Sequence, residues 1–281
     1  MKQLSKILLA LLLLALPLGM SAQTIDYLRP PKRTVTKPVK KTKKKKKETK
    51  REAEQEESLE DLYAKGYDFY QAKDYTQAIV WLRKAADKGH DAAQLVLGYC
   101  YDKGQGVPQD YSQAVYWYRK AAEQGDAPAQ HNLGFCYEKG WGVQQDYSQA
   151  VYWYRKAADQ GNAIAQSNLG VCYERGHGVQ QDYSQAVYWY RKAADQGNAL
   201  AQNNLGNCYY NGRGVQQDYS LAVYWYRKGA DQGNSYAQNG LGNCYYMGRG
   251  VEKDVPTARY WWQKAADQGN ENAKQNLQNC H

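Results

Sequence analysis

From Asp110 onward, apolar side chains fall at Ala114, Trp117, Tyr118, Ala121 and Ala122, the i, i+3, i+4, i+7, i+8 stripe of an amphipathic helix. Asp110 stands where an N-cap is needed, and Gln113 three residues on predicts a capping box. Gly125 supplies a left-handed stop. A second helical stretch begins near Ala127 and carries Ala129, Leu133, Gly134, Cys136 and Tyr137. Gly140-Trp141-Gly142-Val143 closes it, with glycines where the backbone needs positive φ. Small residues at recurring positions let the helices approach closely, while Trp117 and Tyr137 fill the space between them. Upstream, Leu62, Gly66, Tyr67 and Tyr70 lie at helical spacing and predict an opening helix that caps one end.

The stretch Asp110 to Gln145 returns 36 residues later from Asp146, then from Asp182 and Asp218, and more loosely from Asp74 and Asp254. Six tandem units predict an all-α solenoid of helix-turn-helix repeats over residues 59–281, each unit burying its apolar face on its neighbours. The last unit carries Glu271, Asn272, Lys274 and Gln275, a more polar helix that suits a terminal cap.

Charge changes the picture only outside the repeats. Residues 1–53 hold 15 Lys and Arg against 3 Asp and Glu, a balance of +12, whereas residues 54–281 hold 22 against 25, a balance of −3. The overall +9 therefore belongs to the N-terminal region, and no nucleic-acid partner is expected of the repeats. Lys2 and Lys6, the apolar run Ile7 to Leu18 and the small pair Ser21-Ala22 predict a secretory signal peptide over residues 1–22. The apolar run falls short of the roughly 20 residues of a spanning helix. The mature chain is expected to begin near Gln23 and to be secreted or periplasmic, in a bacterial envelope. Residues 23–58 hold Pro30, Pro31, Pro38 and the block KKTKKKKKETKR, and predict a disordered Lys-rich linker. That block is a self-repelling spacer or a contact for an anionic envelope surface, and it lacks the aromatic residues of a single-strand binder.

Ala129, Leu133, Gly134, Tyr137, Gly140, Gly142 and Val143, followed by Asp146, Ala150, Trp153, Lys156, Ala157, Ala158 and Gly161, resemble the Sel-1-like repeat, a relative of the tetratricopeptide repeat. The resemblance covers residues 59–281 and implies a right-handed α/α superhelix with a concave, helix-lined groove. It also implies an adaptor or scaffold that takes a protein or peptide partner in that groove.

The six copies are their own comparison. Numbered from the aspartate that opens each unit, position 24 is always Leu and position 27 always Cys, whereas positions 19, 22, 26 and 29 change. Positions 22, 26 and 29 share one helix face, free to differ because packing does not dictate it. By resemblance to tetratricopeptide repeats they line the concave groove. Drift on a solvated surface and a binding surface are both open readings, and composition favours the second. Toward the C-terminal end the face reads Asn203, Asn207, Tyr210, Asn239, Asn243 and Tyr246, residues suited to a peptide backbone or a sugar hydroxyl. Toward the N-terminal end it carries Tyr99, His131 and Phe135, with Asp102, Glu138 and Glu174 giving an acidity that would suit a basic peptide. Tyr116, Tyr152, Tyr188, Tyr224 and Tyr260 read as core-edge packing, and Arg119, Arg155, Arg191 and Arg227 as a solvated row.

Chemistry finds little support. Cys100, Cys136, Cys172, Cys208, Cys244 and Cys280 occur once per unit, and equivalent residues on stacked helices lie about 8–10 Å apart or more, beyond the span of a disulfide. They read as small buried apolar side chains, with no disulfide and no metal. Four histidines at four different repeat positions make no cluster, and no cofactor is expected. Cysteine-rich exported members of the family, with two cysteines per repeat, are linked to penicillin binding and β-lactamase activity. This chain has half the cysteines and no S-x-x-K motif, which leaves a cell-wall or β-lactam enzyme, and a polyanion or glycan binder acting through the lysines, as the alternatives to a scaffold.

Overall fold

The computed structural model describes residues 57–280. The signal peptide expected at 1–22 and all but the last two residues of the linker at 23–58 lie outside the described residues, as does His281. Among the described residues the chain forms thirteen helices and no strand. An opening helix, Leu59–Gln71 (α1), is followed by Tyr75–Asp87 (α2), Asp91–Lys103 (α3), Tyr111–Glu123 (α4), Ala127–Lys139 (α5), Tyr147–Asp159 (α6) and Ala163–Arg175 (α7). The array continues through Tyr183–Asp195 (α8), Ala199–Asn211 (α9), Tyr219–Asp231 (α10), Ser235–Met247 (α11), Val255–Asp267 (α12) and Glu271–Asn279 (α13). Even-numbered helices are the first helices of the units and odd-numbered ones the second helices. Each helix packs on the next in chain order, which makes the array an all-α solenoid.

Local chemistry sets the helix boundaries. Asp110 Oδ1 accepts the N–H groups of Ser112 (2.8 Å) and Gln113 (3.0 Å), and Asp146 and Asp182 repeat the arrangement. The reciprocal half of the capping box does not form. The Asp110 N–H donates instead to the Tyr101 carbonyl at 3.0 Å, so each first helix is tied to the end of the preceding second helix. Second helices open on Asn162, Asn198, Asn234 and Asn270, each accepting an N–H from the first turn. Gly140 closes α5 at φ 70°, and Gly142 follows at φ 69° with its Cα so near the Tyr111 carbonyl that a Cβ would stand 2.2 Å from that oxygen.

Two seams join the units. In the first, a large aromatic of each first helix lies against a glycine of the preceding second helix. A Cβ on Gly98, Gly134, Gly170, Gly206 or Gly242 would come within 2.6–2.8 Å of the ring of Tyr118, Tyr154, Tyr190, Tyr226 or Trp262. All five rings are buried. In the second, a buried glutamine spans the joint. Gln166 Nε2 donates to the Ala158 carbonyl (3.0 Å), and its Oε1 accepts from Gln196 of the next unit (2.7 Å). The same pair of bonds recurs at Gln94, Gln130, Gln202 and Gln238. These carbonyls already accept a backbone N–H from the glycine three residues on, and the glutamines add a second bond to each while linking one unit to the next.

The outer surface differs from expectation. Tyr116, Tyr152, Tyr188, Tyr224 and Tyr260 are about half exposed rather than packed at the core edge. Each meets its buried Trp neighbour edge-on at 4.8–5.1 Å and carries a Lys ammonium 4.7–5.0 Å above its ring. The arginine row is not merely solvated, because Arg119 donates to the Tyr137 hydroxyl at 2.7 Å and Arg155, Arg191 and Arg227 pair with Tyr173, Tyr209 and Tyr245. No described helix is long and apolar enough to cross a membrane.

Two substitutions test the seams. Gly170→Ala drives a methyl into the Tyr190 ring and is expected to cost about 1–3 kcal/mol of unfolding free energy. Gln166→Leu removes two side-chain bonds at once, the one to the Ala158 carbonyl and the one from Gln196, and is expected to cost about 1–3 kcal/mol. Urea unfolding monitored by circular dichroism measures both.

Candidate functional site

Successive second helices run beside one another: α9 touches α11, and α1 touches α3. Hydrogen bonds cross between them from Asn168 to His131 Nε2 (3.2 Å) and from Asn276 to Asn239 (3.0 Å). The face that these helices share carries the variable positions, and packing reaches further into it than the sequence suggests. Position 22 is not free of the core. Leu95, His131, Ser167 and Asn203 are buried and only Asn239 is half-buried, because the neighbouring second helix covers them.

The other two positions answer a specific demand. Each seam aromatic is buried up to its polar tip, and an unpaired buried hydroxyl or indole N–H is costly. Where position 29 is glutamate it accepts that group: Tyr154 donates to Glu138 (2.8 Å) and Tyr190 to Glu174 (2.6 Å). Where position 29 is Tyr210 or Tyr246, position 26 is asparagine and takes over. Tyr226 donates to Asn207 Oδ1 (2.6 Å), and Trp262 Nε1 to Asn243 Oδ1 (3.0 Å). In the first full unit Asp102 is one methylene shorter than glutamate. It is buried, pairs with Lys103 at 3.0 Å, and leaves the Tyr118 hydroxyl without a hydrogen-bond partner among the described residues. Burial, first, and the nearby carboxylates hold the Tyr154 and Tyr190 phenols far above the usual range, so they act as donors at every working pH.

The acidity expected of the N-terminal half is therefore already engaged. Glu138 also binds Lys139 (2.5 Å), and Arg213 lies 3.9 Å from Glu174. Tyr99 lies half-buried beneath Lys103, and Phe135 packs edge-on to Trp141 at 5.4 Å. His131 is buried between units, stacked on Tyr154 at 5.7 Å, with Nδ1 3.0 Å from Asn132 Oδ1. Desolvation pushes its pKa down to about 4.

In the C-terminal half, Asn203, Asn207, Tyr210, Asn239 and Asn243 come together around one pocket of about 310 Å³. Tyr246 stands apart, tilted against Trp262 at 5.3 Å. The remaining walls are Tyr226, Asn211, Gly240, Tyr236 and Asn272. Tyr236 and Asn272 occupy position 19, whose variation from Pro128 through Ile164 and Leu200 is the signal in the sequence that would have found them. No lining residue is charged. Arg249 is not part of the lining but is hydrogen-bonded to the hydroxyl of the lining residue Tyr210, with its guanidinium 5.4 Å from the rings of both Tyr210 and Tyr219.

All six cysteines are buried and unpaired, and desolvation pushes the thiols of Cys100, Cys136, Cys172, Cys208 and Cys244 up to about 12, which removes them as nucleophiles. Among the described residues no group of His, Cys, Asp and Glu is arranged to hold a metal ion.

The Sel1 repeat pattern matches residues 61–90, 91–126, 127–162, 163–198, 199–234 and 235–270. The chain belongs to the Sel1 repeat family. In the family's own frame a repeat opens on a second helix, so α1 is the first helix of the first Sel1 repeat as well as the end of the stack. The chain is similar to a protective antigen of uropathogenic Escherichia coli, c5321, with 43% identity and a TM-score of 0.74. That similarity covers 78% of this chain and 48% of the other, so this chain spans about half the length of that relative. It is similar also to a Sel1 repeat protein from Oxalobacter formigenes, with 42% identity and a TM-score of 0.74, over 77% of this chain and 86% of that one. No curated protein matches the sequence. Sel1 repeat proteins are in general protein-interaction scaffolds rather than enzymes.

The buried imidazole gives this Sel1 array a measurable pH dependence. His131 has a pKa of about 4 in the fold against 6.5 in the open chain, so between those values the unfolded chain binds more protons and falling pH favours unfolding. The histidine's share of the loss from pH 7 to pH 5 is expected to be about 2 kcal/mol. Burial raises the Asp126 carboxyl to about 6, which acts in the opposite sense but is common to both proteins in a comparison. His131→Asn, which reproduces the residue of two other units, is expected to remove the histidine's share of the dependence, read from urea midpoints at the two pH values.

Proposed function

We propose that the protein is an exported scaffold that binds a protein partner along the concave side formed by its second helices, with the C-terminal pocket as the main contact. The observation that carries this reading is the convergence of Asn203, Asn207, Tyr210, Asn239 and Asn243 on one uncharged pocket with Tyr236, which is 53% exposed. Neutral amides and amphipathic tyrosines give hydrogen bonds and flat contact area at low ordering cost, the composition that favours protein recognition. The N-terminal half supports a lesser role, because Asp102, Glu138 and Glu174 already serve internal partners. It would add shape through Tyr99 and Phe135, whereas His131 is buried between units. Tyr246 would flank the pocket rather than line it. The pattern of residues 1–22 supports export, and the Lys-rich stretch 23–58 is read as a tether that keeps the repeats clear of the envelope surface it would contact.

A crosslinked pull-down from envelope extract tests the reading. The variant Tyr210→Ala/Tyr236→Ala/Asn272→Ala alters the pocket without touching a seam aromatic. Partners are expected to be lost from this variant and retained by Tyr152→Ala/Tyr188→Ala/Tyr224→Ala on the outer surface. Retention by the first variant and loss from the second would contradict it.

A further inference from the structure

Charge is divided between the two kinds of helix. The six first helices hold twelve Lys and Arg against six Asp and Glu, two cations and one acid in every helix. The seven odd-numbered helices hold five against eight. Pairing differs as well. Lys65, Lys103, Lys139 and Lys274 of the odd-numbered helices each meet a carboxylate. Among the described residues, none of the twelve cations of the first helices forms an ion pair. The arginines donate to tyrosine hydroxyls, which leaves their charge uncompensated.

The same surface holds the row Tyr116, Tyr152, Tyr188, Tyr224 and Tyr260, each about half exposed beneath a lysine. Covering the tryptophan beside it does not require an aromatic ring, because the first unit places Val80 there, also about half exposed. The last unit separates drift from constraint. Its first helix α12 differs from α8 at six of thirteen positions, and exposed Ser184, Gln185 and Arg191 become Pro256, Thr257 and Gln263. The exposed ring and its cation stay, as Tyr260 and Lys264.

Two features select a ligand. The surface repeats along one axis, with one ring and one excess cation per unit, so a ligand that repeats along one axis engages the units together and gains affinity with length. The flat C–H face of a pyranose ring stacks on an aromatic ring, and its hydroxyls pair with amides. Exposed Gln113, Gln149 and Gln185 stand three residues before the rings on the same helix face. A single excess cation per unit asks for a sparsely charged chain. Nucleic acid, with a phosphate at every nucleotide, would also meet the acid at the end of each first helix.

We infer that the outer surface binds a linear acidic polysaccharide, its sugar rings lying along the tyrosine row and its carboxylates on the lysines. This site lies on a different face from the pocket and takes a different class of ligand.

Titration calorimetry of the full chain with hyaluronan oligosaccharides, which carry one carboxylate per disaccharide, tests the assignment. Affinity is expected to rise about tenfold or more from the tetrasaccharide to the dodecasaccharide. The hyaluronan hexasaccharide is expected to bind more tightly than the chitin hexasaccharide, which has no carboxylate. Tyr152→Val/Tyr188→Val/Tyr224→Val copies the residue of the first unit, and is expected to abolish the rise with length at unchanged thermal unfolding. Lys156→Gln/Lys192→Gln/Lys228→Gln is expected to abolish the preference for the acidic hexasaccharide. The lysine-rich segment is identical in all three proteins and cancels. A rise with length that survives the tyrosine substitutions, absence of binding by the native chain, or tighter binding of an oligothymidylate of equal length would each overturn the assignment and leave the pocket reading standing.

Discussion

Each joint in this solenoid depends on a missing carbon. A glycine in the second helix lets the flat face of the next unit's tyrosine or tryptophan lie within 2.6–2.8 Å of where a Cβ would stand. Close approach buries the ring completely, and complete burial creates a second requirement, since the ring ends in a hydroxyl or an indole N–H that has lost its water. The unit that offers the glycine must also offer an acceptor. Backbone geometry at one position therefore dictates side-chain chemistry at the next residue and one helical turn away.

The acceptor is found in two ways, and the choice divides the molecule. Glutamate at position 29 reaches the tyrosine directly and leaves position 26 to Phe135 or Val171. Asparagine at position 26 reaches the same group from a turn earlier and releases position 29 for Tyr210 and Tyr246. The first solution consumes a carboxylate internally. The second orients an amide, pointing its oxygen inward and its nitrogen outward. Much of the variation that looks like surface drift is a pair of answers to one buried demand, and the second answer leaves a neutral, amide-lined pocket.

Many of these features were legible in the sequence alone. Period, helix boundaries and the aspartate caps follow from residues such as Asp110, Gly140 and the Ala114-to-Ala122 stripe, because they are local effects of backbone chemistry. The grouping of Asn203, Asn207, Tyr210, Asn239 and Asn243 was readable from the six internal copies. What stayed hidden depends on distance across units. Gln94 and its equivalents look like surface residues until Gln124 of the following unit is placed 2.8 Å away. His131 and Asn203 look exposed until the neighbouring helix covers them. Glu138 and Glu174 read as free acidity because nothing local reveals the tyrosine that each will serve. The capping box failed for a related reason: the N–H of Asp110 is taken by Tyr101 of the preceding unit.

The central claim, that positions 26 and 29 are set by the buried aromatic tip, is tested most directly by a double-mutant cycle on Asn207 and Tyr226. Asn207→Leu leaves the phenol unpaired and is expected to destabilise by about 1–3 kcal/mol. Removing the hydroxyl as well, in Asn207→Leu/Tyr226→Phe, is expected to recover most of that loss, giving a coupling energy of about 1–2 kcal/mol between the sites. Strict additivity in urea unfolding would contradict the account, since it would mean that the asparagine and the hydroxyl do not depend on one another.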